Sequence, residues 1–254
     1  MTEPDATLRS GEATSLRSTR GRLIIALDYP ESEPAVALAR RIVHQVGMVK
    51  VGLELFNSAG PEVISALRAL GARVFYDCKF HDIPNTVAGA AAAAARMGVS
   101  MFNVHALGGK AMMRAAKEAS GRGAEQAGVP PPLVIGVTIV TSLGEQELRD
   151  ELGLPESAQQ VVVRLARLAK EAGLDGVVCS AHEVREIKRV CGKDFLAVVP
   201  GIRPAGAPGD DQARVATPRA ALAAGADYLV IGRPVTRAED PCAAIASIAQ
   251  EMAD

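Results

Sequence analysis

The sequence lacks the features that mark several common classes of protein. It has four cysteines, no Cys-x-x-Cys pair and no repeating cysteine spacing, so we expect neither a disulfide framework nor a structural zinc site. Its 28 basic residues are balanced by 29 acidic ones, which argues against a broadly cationic nucleic-acid binder. No apolar run is long enough to cross a bilayer. These absences predict a soluble, cytoplasmic protein with no nucleic-acid or membrane partner.

The composition is that of a folded globular domain. Hydrophobic residues make up 48% of the 254 residues and charged residues 22%, which argues against a disordered chain. The first twenty residues are polar and lack the apolar core of a signal peptide, so we interpret residues 1–20 as a disordered N-terminal arm. We see no second core and no linker, and we assign residues 21–254 to a single domain.

Short apolar runs alternate with amphipathic stretches along the chain. Each run is followed by a predicted helix, and several of these helices end at a glycine, where a left-handed cap is easiest. The predicted strands are residues 23–27, 48–51, 74–76, 101–104, 133–140, 176–179, 195–199 and 228–231. Residues 120–132, rich in glycine and proline, are predicted to form a long loop. Eight strand–helix units predict an α/β fold, a single-domain (β/α)8 TIM barrel, with an open doubly wound sheet as the alternative.

Polar and reactive side chains gather at the carboxyl ends of most predicted strands. In an open sheet most of these ends would lie far apart, whereas a closed barrel brings them together around one mouth. This arrangement therefore favours the barrel. The residues concerned are Asp28, Lys50, Asp77, Lys79, His105, Thr141, Ser142, Arg203, Gly232 and Arg233.

The third strand runs into the segment richest in charge, residues 77–86, DCKFHDIPNT. Side chains alternate along a strand, so Asp77 and Lys79 should point to one side and Cys78 to the other. Charges on the inner face of a barrel are costly unless they pair with each other or with a substrate. A structural salt bridge at the rim is the simpler interpretation. Lys50 is expected to point inward from the neighbouring strand. A further buried lysine favours a network of charges over a single salt bridge, because an apolar core would not select such residues.

The segment DCKFHDIPNT and five shorter motifs resemble the orotidine 5'-phosphate decarboxylase family. The shorter motifs are ALD ending at Asp28, KVG beginning at Lys50, VTIVTS ending at Ser142, PGIRP around Arg203, and IGRPV around Gly232 and Arg233. The resemblance runs in order from about Leu23 to the carboxyl terminus. The ten-residue motif is specific, whereas each shorter one alone is weak. Cys78 stands where the family commonly has leucine, and we expect it to face the helices without affecting the chemistry.

The resemblance implies a reaction. Orotidine 5'-monophosphate would be converted to UMP and carbon dioxide, the last step of de novo UMP synthesis, with no metal and no organic cofactor. Lys79 would donate a proton to C6 of the pyrimidine, and Asp77 and Lys50 would flank it and contact the substrate. Asp82 would reach the site from the other subunit of a homodimer.

The resemblance also implies where the rest of the substrate binds. Asp28 and Lys50 would hold the ribose hydroxyls, with Thr86 nearby. Ser142 would meet the edge of the pyrimidine, and Thr141 would line the same site. The phosphate would be held by Gln212, Gly232 and Arg233, with Arg203 on the same rim.

The residue types suit this chemistry for reasons independent of the resemblance. Loss of carbon dioxide from C6 leaves an electron pair in the plane of the ring, which resonance cannot spread into a carbonyl. A preorganised positive charge must therefore stabilise it. A lysine supplies both charge and proton, and neighbouring aspartates favour its charged form. Opposite charges about 4 Å apart at an effective dielectric constant near 20 attract by about 4 kcal/mol.

Two other functions are compatible with the same residues. The pattern Asp-x-Lys-x-x-Asp also suits a metal-dependent sugar-phosphate decarboxylase or lyase on a related barrel, in which a metal assists enediolate chemistry. The continuation at residues 81–86 favours the nucleotide enzyme. The second alternative is a module that binds a nucleotide phosphate without catalysis.

Overall fold

A computed structural model describes residues 19–204 and 215–253 of the chain. Eight parallel strands form a closed barrel in which each strand pairs with the next and β8 returns to β1. This confirms the predicted barrel and excludes the open sheet. The strands are β1 Leu23–Ala26, β2 Met48–Val51, β3 Val74–Phe80, β4 Met101–His105, β5 Leu133–Val137, β6 Gly176–Val178, β7 Leu196–Val199 and β8 Tyr228–Ile231.

The helices lie between the strands in sequence, except for the last two, which follow β8, and they cover the outside of the barrel. Within the described ranges, none of them is long and apolar enough to cross a membrane. The α-helices are α1 Ser32–Ile42, α2 Leu53–Ala59, α3 Glu62–Ala69, α4 Pro84–Arg96, α5 Gly109–Ala127, α6 Glu145–Asp150, α7 Ala158–Glu171, α8 Val184–Cys191, α9 Pro218–Ala224, α10 Arg233–Thr236 and α11 Pro241–Ala253. Short 3-10 helices occupy Arg20–Arg22, Val43–Gln45 and Ala106–Gly108.

The hydrophobic core has two layers, one inside the barrel and one between the strands and the helices. On β1, Ile24 and Ala26 belong to the inner layer, whereas Leu23 and Ile25 belong to the outer layer. Both faces of each strand are therefore covered, which explains why the strands are nearly continuous apolar runs in the sequence. The inner layer consists of Ile24, Ala26, Met48, Phe75, Met101, Ile135, Val198, Tyr228 and Val230, with Leu133, Val178 and Leu196 packed against it.

The loop predicted over residues 120–132 is wrong for most of its length. Helix α5 continues to Ala127 and is capped by Gly128, which has the left-handed φ of 64°. Gly123, which suggested a loop, lies against Ala92 of α4. A Cβ at Gly123 would lie 2.6 Å from the Ala92 carbonyl oxygen. Glycine here allows two helices to approach closely, and it does not end the helix.

Other departures from the predicted elements are smaller. Helices α2, α6 and α10 contain seven, six and four residues, which is too short for a hydrophobic period to show in sequence. Strand β3 runs on from the predicted end at residue 76 to Phe80, and β5 ends at Val137 instead of residue 140. Most of the predicted N-terminal arm, residues 1–18, lies outside the described residues.

Aspartates at the amino-terminal edge of the barrel connect strands to helices. Asp227, just before β8, accepts hydrogen bonds from the backbone N–H of Ala197 at 2.7 Å and from Lys188 Nζ at 2.6 Å. The side chains of Lys188 and Asp227 are only 16% and 20% exposed, so this pair is shielded from solvent. Asp175, just before β6, makes the equivalent contacts with a strand N–H of β5 and a lysine of α5.

We expect Asp227→Ala to lower the free energy of unfolding by about 1–3 kcal/mol, because it leaves a partly buried strand N–H and a lysine without their shared acceptor. Urea denaturation followed by circular dichroism measures the change. Glu171→Ala, which removes an ion pair with Lys110 whose side chains are 42% and 59% exposed, is the control and should leave stability unchanged. Equal losses in the two variants would contradict the role given to Asp227.

Candidate active site

A cavity of about 370 Å³ opens at the carboxyl ends of the strands. Its volume is within the range of about 300–1,000 Å³ common for small-molecule sites. Its floor includes four members of the inner apolar layer, namely Ala26, Phe75, Val198 and Val230. All eight strands, or the residues just after them, contribute to its lining. The charged residues described next line the same cavity.

Lys50 projects from β2 between two carboxylates. Its Nζ lies 3.0 Å from Asp28 Oδ1 and 3.3 Å from Asp77 Oδ2, and its side chain is 10% exposed. Burial alone lowers the pKa of Lys50, but the charges of Asp77 and Asp28 outweigh burial and raise that pKa above its ordinary value of 10.5. Lys50 is therefore a fixed cation at the base of the site.

Asp77 of β3 lies between two ammonium groups. Lys79 Nζ is 2.6 Å from Asp77 Oδ1, while Lys50 approaches the other oxygen. Burial alone raises the pKa of Asp77, but the charges of Lys50 and Lys79, with hydrogen bonds from Lys79 and Asn103, lower it below its ordinary value of 3.8. We call the row Asp28–Lys50–Asp77–Lys79 the charge network. Of its two amines, that of Lys79 is on the more exposed side chain, at 31%.

The backbone at Lys79 is strained. Its φ is 50°, and it is the only non-glycine residue with a positive φ among residues 19–204 and 215–253. A conformation of this kind costs about 1–3 kcal/mol and persists only where its surroundings enforce it. It lies where the pairing of β3 with β4 shifts register, between Tyr76 and Phe80, and such bulges redirect side chains. Phe75, Asp77 and Lys79 line the cavity while Tyr76, Cys78 and Phe80 face the outer layer, so the predicted alternation holds through the bulge.

Asn103 of β4 is a residue of this site that the sequence interpretation missed. Its side chain donates from Nδ2 to Asp77 Oδ1 at 2.7 Å and accepts at Oδ1 from the backbone N–H of Lys79 at 2.7 Å. The residue is 1% exposed and lines the cavity. A signal was present in the sequence, because Asn103 is a polar residue inside an apolar strand, two positions from the inward-facing Met101.

Cys78 faces away from the cavity, as predicted. It is 7% exposed in the layer between strands and helices, and its Sγ–H donates to the Asn103 carbonyl oxygen at 3.2 Å. Burial raises the pKa of the thiol to about 12, so Cys78 stays protonated and has no part in the cavity.

The remaining predicted rim residues come from β5, β7 and β8. Arg203 follows β7, and its backbone N–H donates to the Ala216 carbonyl oxygen at 3.0 Å. A parallel β-bridge between Ile202 and Ala216 lies beside this hydrogen bond. Gln212 lies outside the described residues. The predicted residues that line the cavity are Asp28, Lys50, Asp77, Lys79, Thr141, Ser142, Arg203, Gly232 and Arg233.

The segment after β3 does not line the cavity of its own chain. Asp82 is exposed, and its Oδ1 accepts from the N–H of Ile83 at 2.6 Å. Thr86 is also exposed, in the first turn of α4. The predicted contribution of Asp82 from a second subunit stays a prediction. His105, at the end of β4, does not line the cavity and instead packs against His81, with ring centroids 5.4 Å apart.

We expect acid to destabilise the protein partly through Asp77. Because the pKa of Asp77 is depressed in the folded chain, its contribution to stability is present above about pH 4 and is lost as the pH falls below that value. Asp77→Asn should therefore flatten the fall in unfolding free energy between about pH 5 and about pH 3. Urea denaturation at a series of pH values measures this slope.

Asp28→Asn is the matched control for this measurement. Its carboxylate is 58% exposed and pairs within the charge network with Lys50, so the variant should keep the wild-type slope. A wild-type slope in Asp77→Asn would contradict the depressed pKa of Asp77.

Comparison with known proteins identifies the family. The model of the "Orotidine 5'-phosphate decarboxylase / HUMPS family" matches residues 21–248. A protein of Alkalilimnicola ehrlichii named orotidine 5'-phosphate decarboxylase is 54% identical over 235 residues, 92% of this chain and 97% of that protein. One of the same name from Moorella thermoacetica is 51% identical over 233 residues, 92% of each. The crystal structure of orotidine 5'-phosphate decarboxylase from Lactobacillus acidophilus is 39% identical, with a TM-score of 0.79, and the match covers 91% of this chain and 99% of that one. The chain therefore belongs to the orotidine 5'-phosphate decarboxylase / HUMPS family.

Proposed function

We propose that the cavity converts orotidine 5'-monophosphate to UMP and carbon dioxide, the last step of de novo UMP synthesis. The observation that carries this proposal is the charge network, which presents the Lys79 amine to a cavity that also carries Arg203 and Arg233. The substrate has one reacting carbon and one distant phosphate, and the cavity offers a cationic group for each. The identity of 54% to a protein named for this activity supports the assignment.

Lys79 is the proton donor. When the bond between C6 and the carboxylate breaks, carbon dioxide leaves and the electron pair stays on C6 in the plane of the ring. The Lys79 ammonium stabilises this charge as it develops and then transfers a proton to C6, giving UMP and a neutral amine that regains its proton from water. Asp77 holds the ammonium at 2.6 Å, so the positive charge is in place before the bond breaks.

Asp77 has a second, smaller effect on the reaction. Its depressed pKa keeps it ionised, and an ionised carboxylate beside the substrate carboxylate raises the energy of the bound substrate. The repulsion is relieved when the carboxylate leaves as neutral carbon dioxide. Lys50 balances the charge of Asp77 from the other side, so the folded protein tolerates this carboxylate when the cavity is empty.

The phosphate binds at the ends of β7 and β8. In (β/α)8 barrels the loops after these two strands and a short additional helix commonly form the phosphate site, and here the short helix α10 begins at Arg233. The guanidinium of Arg233 offers a two-pronged donor, Gly232 leaves room for a close approach, and Arg203 lies on the same rim. We add Gln212, which lies outside the described residues, to this subsite on the family resemblance alone. Binding energy from this unreactive group can be used to order the site around the base.

The ribose and the pyrimidine bind between these two ends. Asp28 and Lys50 lie side by side, 3.0 Å apart, and we assign them to the ribose hydroxyls. Thr141 and Ser142 follow β5 on the lining of the same cavity, and we assign Ser142 to the edge of the pyrimidine, with Thr141 beside it.

The reaction needs no metal in this proposal. Both oxygens of Asp77 accept from ammonium groups, and Asp28 accepts from Lys50. A metal ion bound by these carboxylates would have to displace the lysines that the decarboxylation uses. All four cysteines are free thiols, which suits a reducing compartment, and we place the reaction in the cytoplasm.

A homodimer completes each site in this proposal, with Asp82 entering the cavity of the partner subunit. Three large apolar side chains are exposed just after neighbouring strands, Leu53 after β2, Ile83 after β3 and Leu107 after β4, at 50%, 66% and 47%. They lie at the same end of the barrel as Asp82 and Thr86. Clustered apolar side chains on a surface indicate a protein interface. A second subunit bound at this surface would have its cavity close to Asp82 and Thr86 of the first subunit.

We expect Lys79→Ala to lower kcat at least about a thousandfold, since it removes both the proton donor and the fixed charge, while UMP still binds. The fall in ultraviolet absorbance of orotidine 5'-monophosphate measures turnover, and calorimetry measures UMP binding. Lys170→Ala, an exposed lysine of α7, is the control and should keep wild-type turnover.

Three results would oppose this proposal. Near-normal turnover in Lys79→Ala would reject the proton donor. Activity that disappears with EDTA and returns with magnesium would favour the metal-dependent sugar-phosphate alternative. Binding of UMP without any turnover in the wild-type protein would favour a binding module.

Mixing two inactive variants tests the shared site. Lys79→Ala and Asp82→Ala subunits, unfolded and refolded together in equal amounts, should regain about a quarter of wild-type activity, because half of the dimers are mixed and one of their two sites is intact. Each variant refolded alone is the control. No recovery in a mixture shown by two affinity tags to contain mixed dimers would place Asp82 outside the partner's site.

A further inference from the structure

We infer that Asn103 is a positioning residue for the decarboxylation, which aims the Lys79 amine by holding both the backbone of Lys79 and the carboxylate of Asp77. The inference rests on the proposed function, because it concerns the same reacting atoms. Asn103 acts through its two neighbours in the charge network and needs no contact of its own with the substrate.

The three residues form a closed ring of hydrogen bonds. Asn103 Oδ1 accepts from the backbone N–H of Lys79 at 2.7 Å, and Asn103 Nδ2 donates to Asp77 Oδ1 at 2.7 Å. The same Oδ1 of Asp77 accepts from Lys79 Nζ at 2.6 Å. One amide therefore fixes both ends of the Lys79 side chain, the backbone from which it starts and the carboxylate on which it ends.

The bulge in β3 explains why a side chain is needed at this point. Tyr76 pairs with Phe102 and Phe80 pairs with Val104, so four steps along β3 correspond to two steps along β4. Asn103 is the residue of β4 opposite the extra residues, and its side chain receives the Lys79 N–H there. This hydrogen bond is the contact by which the ring holds the Lys79 backbone, where φ is positive.

The ring uses both a donor and an acceptor of the side chain at position 103. Position 103 is 1% exposed, so a donor or acceptor left without a partner there is costly. The residue must accept from a backbone N–H and donate to a carboxylate at once. Leucine branches at the same carbon but is larger and does neither, and aspartate has nearly the same volume and accepts but places a second negative charge beside Asp77. A misplacement of about 1 Å at a reacting group can cost about a hundredfold in rate.

The test compares Asn103→Leu with Thr138→Val. Thr138 is also fully buried, and its Oγ1 donates to the Val178 carbonyl oxygen at 2.9 Å, which the Thr138 backbone N–H also contacts at 3.3 Å. Thr138 lies outside the charge network and does not line the cavity. We expect Asn103→Leu to lower kcat about 30- to 300-fold with KM within about threefold, because the assigned phosphate and ribose contacts remain. Thr138→Val should change neither constant by more than about threefold, although both variants lose some thermal stability.

A second readout does not depend on turnover. Loss of the Asn103 hydrogen bond raises the pKa of Asp77 towards its ordinary value. In Asn103→Leu the unfolding free energy should therefore fall less steeply with decreasing pH than in the wild type, as is also expected for Asp77→Asn. Thr138→Val should keep the wild-type slope. If the wild-type protein does not decarboxylate orotidine 5'-monophosphate, the proposed function fails, and the slope still decides whether Asn103 holds Asp77.

Either of two results would overturn the inference. The first is a kcat of Asn103→Leu within about threefold of that of Thr138→Val, which would make Asn103 an ordinary buried amide. The second is an unchanged acid slope in Asn103→Leu. If Asn103→Leu does not fold, Asn103→Asp takes its place in the kcat measurement, because aspartate keeps the side-chain shape and the acceptor for the Lys79 N–H. It should still lose at least about tenfold in kcat, and wild-type turnover in this variant would reject the inference.

Discussion

The site depends on one buried carboxylate held between two ammonium groups. Asp77 is 15% exposed and would be costly as an isolated charge, but Lys50 and Lys79 approach its two oxygens at 3.3 and 2.6 Å. Burial alone would lower the pKa of Lys50 and raise that of Asp77, and the attraction between opposite charges in the network reverses both shifts. The network is therefore a single electrostatic unit, and its outer member presents a positive charge to the cavity.

The barrel makes this unit possible by its geometry. Asp28, Lys50 and Asp77 come from three consecutive strands or their ends, so the closed sheet sets their separations. The apolar inner layer, with Phe75 and Val198 at the floor of the cavity, keeps the dielectric constant low beneath the charges. Closure of the barrel also places the end of β8 beside that of β1. The proposed phosphate subsite at Arg233 and the proposed ribose contact at Asp28 are therefore neighbours.

The sequence predicted the fold and most of the cavity because both depend on local signals. Apolar runs of strand length and the charged residues that follow them are visible without any tertiary information, and Lys50, Asp77 and Lys79 were placed correctly on that basis. Asn103 was missed because its importance arises from a register shift between β3 and β4 that no local pattern encodes. The long loop predicted at residues 120–132 failed for a related reason. A glycine that serves close packing between helices has the same appearance in sequence as one that ends a helix.

The left-handed backbone at Lys79 sets strain against an ion pair at a single position. Glycine adopts a φ of 50° without the penalty that lysine incurs there, but it would leave one oxygen of Asp77 without its ammonium partner. Selection for thermal stability in the laboratory, carried out without selection for turnover, would therefore act on the strain and on the ion pair in opposite directions. A lineage that no longer needed the reaction could lose both charges together, and the absence of this pair from an otherwise intact barrel would mark a relative that had given up the activity.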